Sequence, residues 1–560
     1  MNKGDNRRTG GQLLVECLRA NGVELAFAVP GESYLAVLDA FYDVPEIRLI
    51  TGRQEGGVSM MADAYGKLTG KPGIAFVTRG PGATNACAGL HVARQDSTPM
   101  ILFIGQVGRN MTEREAFQEI DYRRMLGQLT KWTAEIDDPA RIPEFVSRAF
   151  HVATSGRQGP VALALPEDML TELTTAEPCQ PYTAVQAAPA AADMQRLMAL
   201  LEQARQPLLL LGEGDWSSAA VESMQRFCSA NQLPVVATFR CQDLFDNAHP
   251  CYIGDLGLGA NPTLSKRVKE ADLLIAVGGR LGEIPTNAYS LLDIPTPQQT
   301  LVHIHGGAEE LNRVYQATLA INSGMQHFAA MLEQMPTLQA PAWAESTRQA
   351  HADYLNWIKP PQVPGALQMG EVMNWLGEHL PSDAILTNGA GNYTVWLHRF
   401  YQYRHFRSQL APTCGSMGYG LPAAVAAKLA QPERTVVCFA GDGCYQMTMQ
   451  EFGTAVQFGA NIVVVLVNNG SWGTIRMHQE REYPERVIAT ELFNPDFAAL
   501  AQAYGGFGAI VNSADEFPAA FEQAVAAGKP ALLELRLDLE ALTPRASLSD
   551  IRAQALAGKA

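Results

Sequence analysis

No stretch of this chain reaches the ~18 consecutive apolar residues of a membrane-spanning helix. None of its nine cysteines forms a C-x-x-C pair, which argues against a zinc site or a disulfide framework. Basic runs are also missing: 42 Lys and Arg against 57 Asp and Glu leave a net charge of −15, so nucleic acid is not an expected partner. The first residues, Met1-Asn2-Lys3-Gly4-Asp5-Asn6-Arg7-Arg8, lack the apolar core of a signal peptide, and Arg7-Arg8 is too little for a twin-arginine signal. The expectation is a protein of the reducing cytoplasm with no membrane partner. Low-complexity tracts and short internal repeats are absent as well.

What is present is an alternation. The 560 residues allow roughly three or four domains at ~100–200 residues each. Short apolar runs alternate with longer amphipathic segments, the pattern of parallel sheets covered by helices. Strands are predicted at Glu24–Val29, Ile47–Thr51, Ile74–Thr78, Met100–Ile104 and Val161–Leu165. A second group falls at Leu208–Leu211, Val235–Thr238, Leu273–Val277 and Leu301–Ile304. A third falls at Ala384–Thr387, Thr435–Phe439, Ile462–Val467 and Ala531–Leu535. Two Pro-rich stretches, near 171–192 and 335–366, break the pattern and read as linkers. The predicted fold is therefore α/β, with three doubly wound parallel-sheet domains at 1–175, 190–340 and 362–545.

Two strand ends carry the strongest chemical signal. Gly441-Asp442-Gly443 follows the apolar run ending at Ala440, and Asn468-Asn469 follows the run Ile462–Val467. An acid at one strand end and an amide at another can share a hard cation, and Mg²⁺ favours a carboxylate, neutral oxygens and substrate phosphates. The glycines let backbone N–H groups approach a diphosphate. Either half alone reads as a turn after a buried strand; the two together read as a metal-bridged diphosphate site. A further acid, Glu55, stands just past a strand in Arg53-Gln54-Glu55-Gly56-Gly57, on the edge where open α/β sheets bind ligands. Alone it reads equally as an acid favoured at a helix N-terminus.

The order GDG…NN resembles the thiamine diphosphate enzymes. Arg53-Gln54-Glu55-Gly56 with Met61-Ala62-Asp63-Ala64-Tyr65-Gly66 resembles the acetohydroxyacid (acetolactate) synthase pattern around its catalytic glutamate. The likeness runs from about Gly10 to about Leu537. It implies pyrimidine-binding, central and diphosphate-binding domains in that order, and a homodimer or homotetramer with active sites at subunit interfaces. It implies that Glu55 hydrogen-bonds a ring nitrogen of the cofactor's aminopyrimidine, a general acid/base role. Gly31 and the segment Thr78-Arg79-Gly80-Pro81-Gly82-Ala83-Thr84-Asn85 would shape the cofactor wall, with Thr78 and Asn85 as binding residues. Phe117-Gln118 would lie over the reacting end, with Gln118 donating to the substrate. Gly415 and Met417, in Cys414-Gly415-Ser416-Met417-Gly418, would hold the cofactor's bent shape, the methionine as a wedge between its rings. Asn392 and Tyr393 stand where the family uses Gln-His on the diphosphate, and both can still bond phosphate oxygens. Gly441, Asp442, Gly443 and Cys444, with Asn469, Ser471, Trp472, Gly473 and Thr474, complete the diphosphate half. Asp442, Asn469 and the Ser471 backbone oxygen would ligate Mg²⁺.

Several departures bear on the substrate. His478 replaces a family tryptophan and reads either as a polar catalytic residue or as a packed or solvated helix histidine. Glu167 reverses the charge of a family lysine, and Arg79 replaces a small residue. Val302-His303-Ile304-His305-Gly306-Gly307 lacks the family's acidic residues, which puts its FAD site in question; Gly278-Gly279-Arg280 keeps an arginine for a nucleotide phosphate but reads better as a loop. The function implied is decarboxylation of a 2-oxo acid followed by ligation of the enamine to an acceptor carbonyl. The alternatives are a 2-oxo acid decarboxylase, a 2-hydroxyketone lyase, an oxidase if FAD binds, and a non-catalytic homologue.

Overall fold

A computed structural model describes residues 7–558, which resolve into two compact units: 7–185 with 425–430, and 186–424 with 431–558. The strands of the first are β1 (Arg8–Thr9), β2 (Leu25–Ala28), β3 (Arg48–Thr51), β4 (Gly73–Val77), β5 (Met100–Gln106), β6 (Trp132–Glu135), β7 (Pro160–Pro166) and β8 (Leu173–Thr174). β1 and β8 pair antiparallel; the other six form a parallel sheet in the order β3-β2-β4-β5-β7-β6.

The second unit holds two more six-stranded parallel sheets. The central one comprises β9 (Pro207–Leu211), β10 (Val235–Thr238), β11 (Tyr252–Leu256), β12 (Leu273–Val277), β13 (Thr300–His305) and β14 (Leu319–Asn322), ordered β11-β10-β9-β12-β13-β14. The last comprises β15 (Ile385–Asn388), β16 (Gln409–Leu410), β17 (Val436–Gly441), β18 (Val463–Asn468), β19 (Phe507–Val511) and β20 (Ala531–Arg536), ordered β16-β15-β17-β18-β20-β19. Each sheet starts at an inner strand, grows to one edge, then returns and grows to the other. The reversals lie between β2 and β4, β9 and β12, and β15 and β17. Such switch points open crevices at the carboxyl ends of the strands.

All thirteen predicted strands are present. Five further strands of the three sheets were not foreseen (β6, β11, β14, β16 and β19), and every one is an edge strand. An inner parallel strand is covered on both faces and reads as a continuous apolar run, as Pro207–Leu211 does. An edge strand has no such requirement: Trp132–Glu135 is half-buried throughout and Tyr252–Leu256 carries Gly254 and Asp255. The stretch near 335–366 is also only partly a linker. It contains the helix Ala344–Trp357, which buries Ala350 and Tyr354 against the central domain. Flanking prolines and a weak apolar stripe hide it in the sequence. Residues 175–190 carry no helix or strand.

The central and last domains are stitched by buried polar groups. The Asp243 carboxylate accepts the Ser408 and Gln409 N–H groups at 3.0 and 3.2 Å. Gln242 bonds the His398 carbonyl and the Gln409 side chain, and Asn247 bonds the Tyr403 backbone.

A second tie secures the C-terminal helix Leu548–Ala557, capped by Ser547 and Asp550. Its Arg552 donates twice to the buried Glu480 carboxylate, at 2.8 and 2.6 Å, and Arg476 donates to the same group at 3.1 Å. Arg552 first, with the Arg476 bond, holds the Glu480 carboxyl down at about 2. A depressed carboxyl stabilises the fold above its unfolded-state value and loses that contribution as pH falls toward the folded one. Glu480→Gln should therefore cost about 2–3 kcal/mol at pH 7. The difference from wild type should shrink between about pH 4.5 and 2 in chemical denaturation.

Candidate functional site

At the β15/β17 switch of the last sheet lies a cleft of about 220 Å³. Three strand ends supply it: the loop after β15, Asp442 after β17, and Asn469 after β18. Every residue that the sequence places on the diphosphate half lines it: Asn392, Tyr393, Gly415, Met417, Gly441, Asp442, Gly443, Cys444, Asn469, Ser471, Trp472, Gly473 and Thr474.

Asp442 is 4% exposed and begins the short helix Asp442–Gln446. Its carboxylate accepts the N–H groups of Gly443 and Gly470, each at 2.9 Å, and the Asn494 amide at 2.8 Å. Burial pushes its carboxyl up, against these bonds. No cationic side chain among the described residues bonds it. A buried carboxylate with three donors and no counter-ion is an incomplete arrangement that a cation would complete. Nearby, the Asn469 side-chain oxygen accepts the Ser471 N–H at 3.1 Å, and the Ser471 carbonyl accepts the Gly473 N–H at 2.8 Å with a lone pair to spare. Among the described residues there is no cluster of three or more His, Cys, Asp or Glu able to hold a metal alone. The donor set here is one carboxylate plus neutral oxygens, which suits Mg²⁺ completed by ligand phosphates. The cradle is also tight. A Cβ on Gly443 would stand 2.4 Å from the Trp472 ring, and one on Gly441 2.7 Å from the Tyr393 ring.

Three side chains depart from their expected roles. The Tyr393 hydroxyl faces inward, accepting the Gly389 N–H at 3.1 Å and donating to Cys444 Sγ at 3.2 Å, so its ring forms cleft wall and its hydroxyl is not available to phosphate. Asn392 accepts from Thr474 Oγ1 at 3.0 Å, joining two helix starts across the cleft. His478 is exposed on the helix Gly473–Glu482, bonded through Nδ1 to Arg481, and does not line the cleft. Burial and Arg481 both favour its neutral form. Its position gives no support to the catalytic reading.

In the first unit, Glu55 opens the helix Glu55–Thr69 after β3, with Gln54 as its cap. Asn85 Nδ2 donates to Glu55 Oε2 at 3.0 Å, and a Cβ on Gly82 would lie 3.3 Å from the other oxygen. Thr78 Oγ1 lies 3.0 Å from Ser33 Oγ, and a Cβ on Gly31 would fall 2.5 Å from the Thr78 Cβ. Glu55, Asn85, Thr78 and Gly31 are thus all placed after strands on the carboxyl edge of that sheet. Gln118 holds a left-handed φ of 66°; its carbonyl accepts the Gly80 N–H at 3.0 Å, and its side chain bonds nothing among the described residues. Phe117 beside it is 72% exposed. Arg79 and Glu167, both departures from the family pattern, form an ion pair with each other, so the reversed charge at Glu167 is neutralised.

At the central sheet's switch two backbones come close together. Gly212 packs on Gly279 so closely that a Cβ there would lie 2.3 Å from the Gly279 Cα, and the buried His303 bonds the Gly279 carbonyl at 2.9 Å.

Sequence reasoning missed Asn494, which orients Asp442, and the cleft walls Trp396, Val467, Leu537 and Leu542. The run Asn494-Pro495-Asp496 before a helix was the available signal for the first.

Comparison with known proteins agrees along most of the chain. Profiles of the thiamine pyrophosphate enzymes match residues 8–125 (N-terminal TPP binding domain), 194–332 (central domain) and 389–535 (C-terminal TPP binding domain). The large subunit of Escherichia coli acetolactate synthase isozyme 2 is 31% identical over 94% of this chain and 95% of its own. The acetolactate synthase large subunit of Lactococcus lactis is 32% identical over 89% and 87%. The mitochondrial catalytic subunit of Saccharomyces cerevisiae is 29% identical over 95% and 81%. This chain belongs to the thiamine diphosphate-dependent enzymes, as an acetolactate synthase-like member of that family.

Proposed function

We propose that the protein decarboxylates a 2-oxo acid and joins the remaining fragment to an acceptor carbonyl, using thiamine diphosphate and Mg²⁺. The observation that carries this is the buried, cation-less Asp442 at the switch point, with Asn469 and the Ser471 carbonyl beside it. Asp442, Asn469 and Ser471 hold the metal; the backbone of Gly441, Gly443 and Gly473 accommodates the diphosphate; Trp472 and Tyr393 wall the cleft; Met417 and Gly415 support the rings. Bound there, the cofactor supplies the carbanion-stabilising chemistry that decarboxylation needs.

Glu55 holds and moves a proton at the cofactor's pyrimidine nitrogen, and Asn85 fixes the carboxylate that does so. Gln118, with its amide free, meets the carboxylate or carbonyl of the substrate. The Arg79–Glu167 pair leaves the neighbouring wall without net charge. This reading needs no flavin, and a colourless purified protein is expected.

The test is CO₂ release from a panel of 2-oxo acids, with and without an acceptor aldehyde or 2-oxo acid. Release coupled to a hydroxyketone product supports ligation; release as free aldehyde indicates a simple decarboxylase; no release from any acid overturns the reading.

The active unit in this reading is at least a dimer, in which Glu55 of the partner subunit completes each cleft. Support comes from large apolar side chains left exposed along the segment that follows Asn469: Ile475, Tyr483, Ile488 and Phe493, the last fully exposed. Large apolar groups left exposed in one segment are candidates for an interaction surface. Phe493→Asp should shift the protein toward monomer in sedimentation velocity and lower activity at least about 10-fold at dilute protein, with secondary structure unchanged.

A further inference from the structure

The helix Tyr393–Phe400 borders two cavities. Tyr393 and Trp396 line the cleft already described, while Thr394, Val395, His398 and Arg399 line a second of about 40 Å³ between the central and last domains. The far side of this second cavity is formed by the loop after β11, by Trp357 and by Arg545.

Two guanidinium groups lie against one indole there. The Arg399 guanidinium carbon lies 3.6 Å from the Trp357 ring centre, and that of Arg545 lies 5.2 Å from the same centre. Arg399 Nε donates to the Trp357 carbonyl at 3.0 Å. Arg545 Nη2 donates to the carbonyls of Gly259 and Ala260, at 2.5 and 3.0 Å. These backbone bonds leave most of the five donors on each group unused. Among the described residues neither group has a carboxylate partner.

Arg399 is half-buried and Arg545 is exposed. Burial, and then the repulsion of Arg545, hold Arg399 down at about 10; burial lowers Arg545 as well. Both remain cations at neutral pH. Asp255, the one acid in the lining, is half-buried, pairs with neither guanidinium, faces the Gln242 amide at 3.4 Å, and is pushed up to about 7 by desolvation. Stacking an arginine on tryptophan is a common way to cover surface. That covers each guanidinium on its own; it supplies no counter-charge to the pair.

We propose that this cavity binds one small oxyanion, a phosphate or carboxylate group, held between Arg399 and Arg545 beside Trp357. Such pairs of planar donors are suited to bidentate recognition of these groups. A volume of 40 Å³ holds roughly three water-sized centres, room for an oxyanion group and not for a nucleotide base. The site is separate from the diphosphate cleft and independent of which 2-oxo acid is turned over.

The experiment uses holoenzyme loaded with thiamine diphosphate and Mg²⁺, so that the diphosphate cleft is filled. Inorganic phosphate is titrated in one arm and malonate in another at matched ionic strength, followed by calorimetry and tryptophan fluorescence. Saturable binding at one site per chain is expected, weakened ~10–100-fold by Arg399→Gln and by Arg545→Gln and partly retained in Arg545→Lys. Trp357→Phe should remove the fluorescence response. Thermal unfolding checks that each variant is folded. A preference for phosphate or for malonate supports the site and identifies its ligand class. No saturable binding of either anion, or binding unchanged in both glutamine variants, overturns the proposal.

Discussion

Glu55→Gln is expected to lower thiamine diphosphate-dependent CO₂ release by about 10³-fold while leaving cofactor affinity within a few-fold of wild type. The two measurements separate because of where Glu55 sits. Its carboxylate is fixed by Asn85 Nδ2 at 3.0 Å on the first sheet's edge, whereas every predicted diphosphate contact lies in the cleft of the last sheet. The amide keeps the size and one acceptor oxygen but cannot carry the proton. Turnover should therefore fall without a matching rise in the cofactor requirement. Steady-state CO₂ release and a direct binding titration check this. Activity within 10-fold of wild type would remove Glu55 from the proton-transfer role. Loss of cofactor binding alongside activity would instead make it a binding residue.

Asp442→Ala should have the opposite signature. It removes the only carboxylate of the proposed metal site, so Mg²⁺-dependent binding of thiamine diphosphate should weaken at least about 100-fold, and activity at fixed cofactor should fall with it. Asn494→Ala, which deletes the 2.8 Å bond that orients the same carboxylate, should weaken binding about 10–100-fold. Apo-protein unfolding should change less than cofactor binding does, because Asp442 is a buried charge without a cation. Calorimetric titration with thiamine diphosphate at fixed Mg²⁺ measures both variants. Unchanged affinity in Asp442→Ala would place the metal elsewhere.

The contrast between legible and hidden features has a physical basis. Inner strands could be read because burial on two faces demands unbroken apolar runs; the five unforeseen edge strands face no such demand. The grouping of residues around the last sheet's cleft could be read because most of them lie in short loops directly after inner strands, where the strand end fixes the neighbourhood of each. Leu542 arrives from a distant segment and carries no local signature, and the run that holds Asn494 does not show that its amide reaches Asp442. Tyr393 and His478 were placed on the right elements, but the direction of a side chain depends on helix phase and on which partner wins its hydrogen bond. Cys444 takes the Tyr393 hydroxyl, and Arg481 takes the His478 ring. The pairing of Arg79 with Glu167 likewise joins two positions 88 residues apart that look independent in the sequence.

The buried amides and carboxylate that stitch the central domain to the last one have a mechanical consequence. Asp243, Gln242 and Asn247 each satisfy backbone or side-chain groups of residues 398–409, out of reach of water. Sliding one domain past the other would strand several of these groups at once, at about 1–3 kcal/mol apiece. This junction is therefore a weld and not a hinge. The two domains should melt as a single body, and any opening that admits substrate must come from loops or from other seams of the protein.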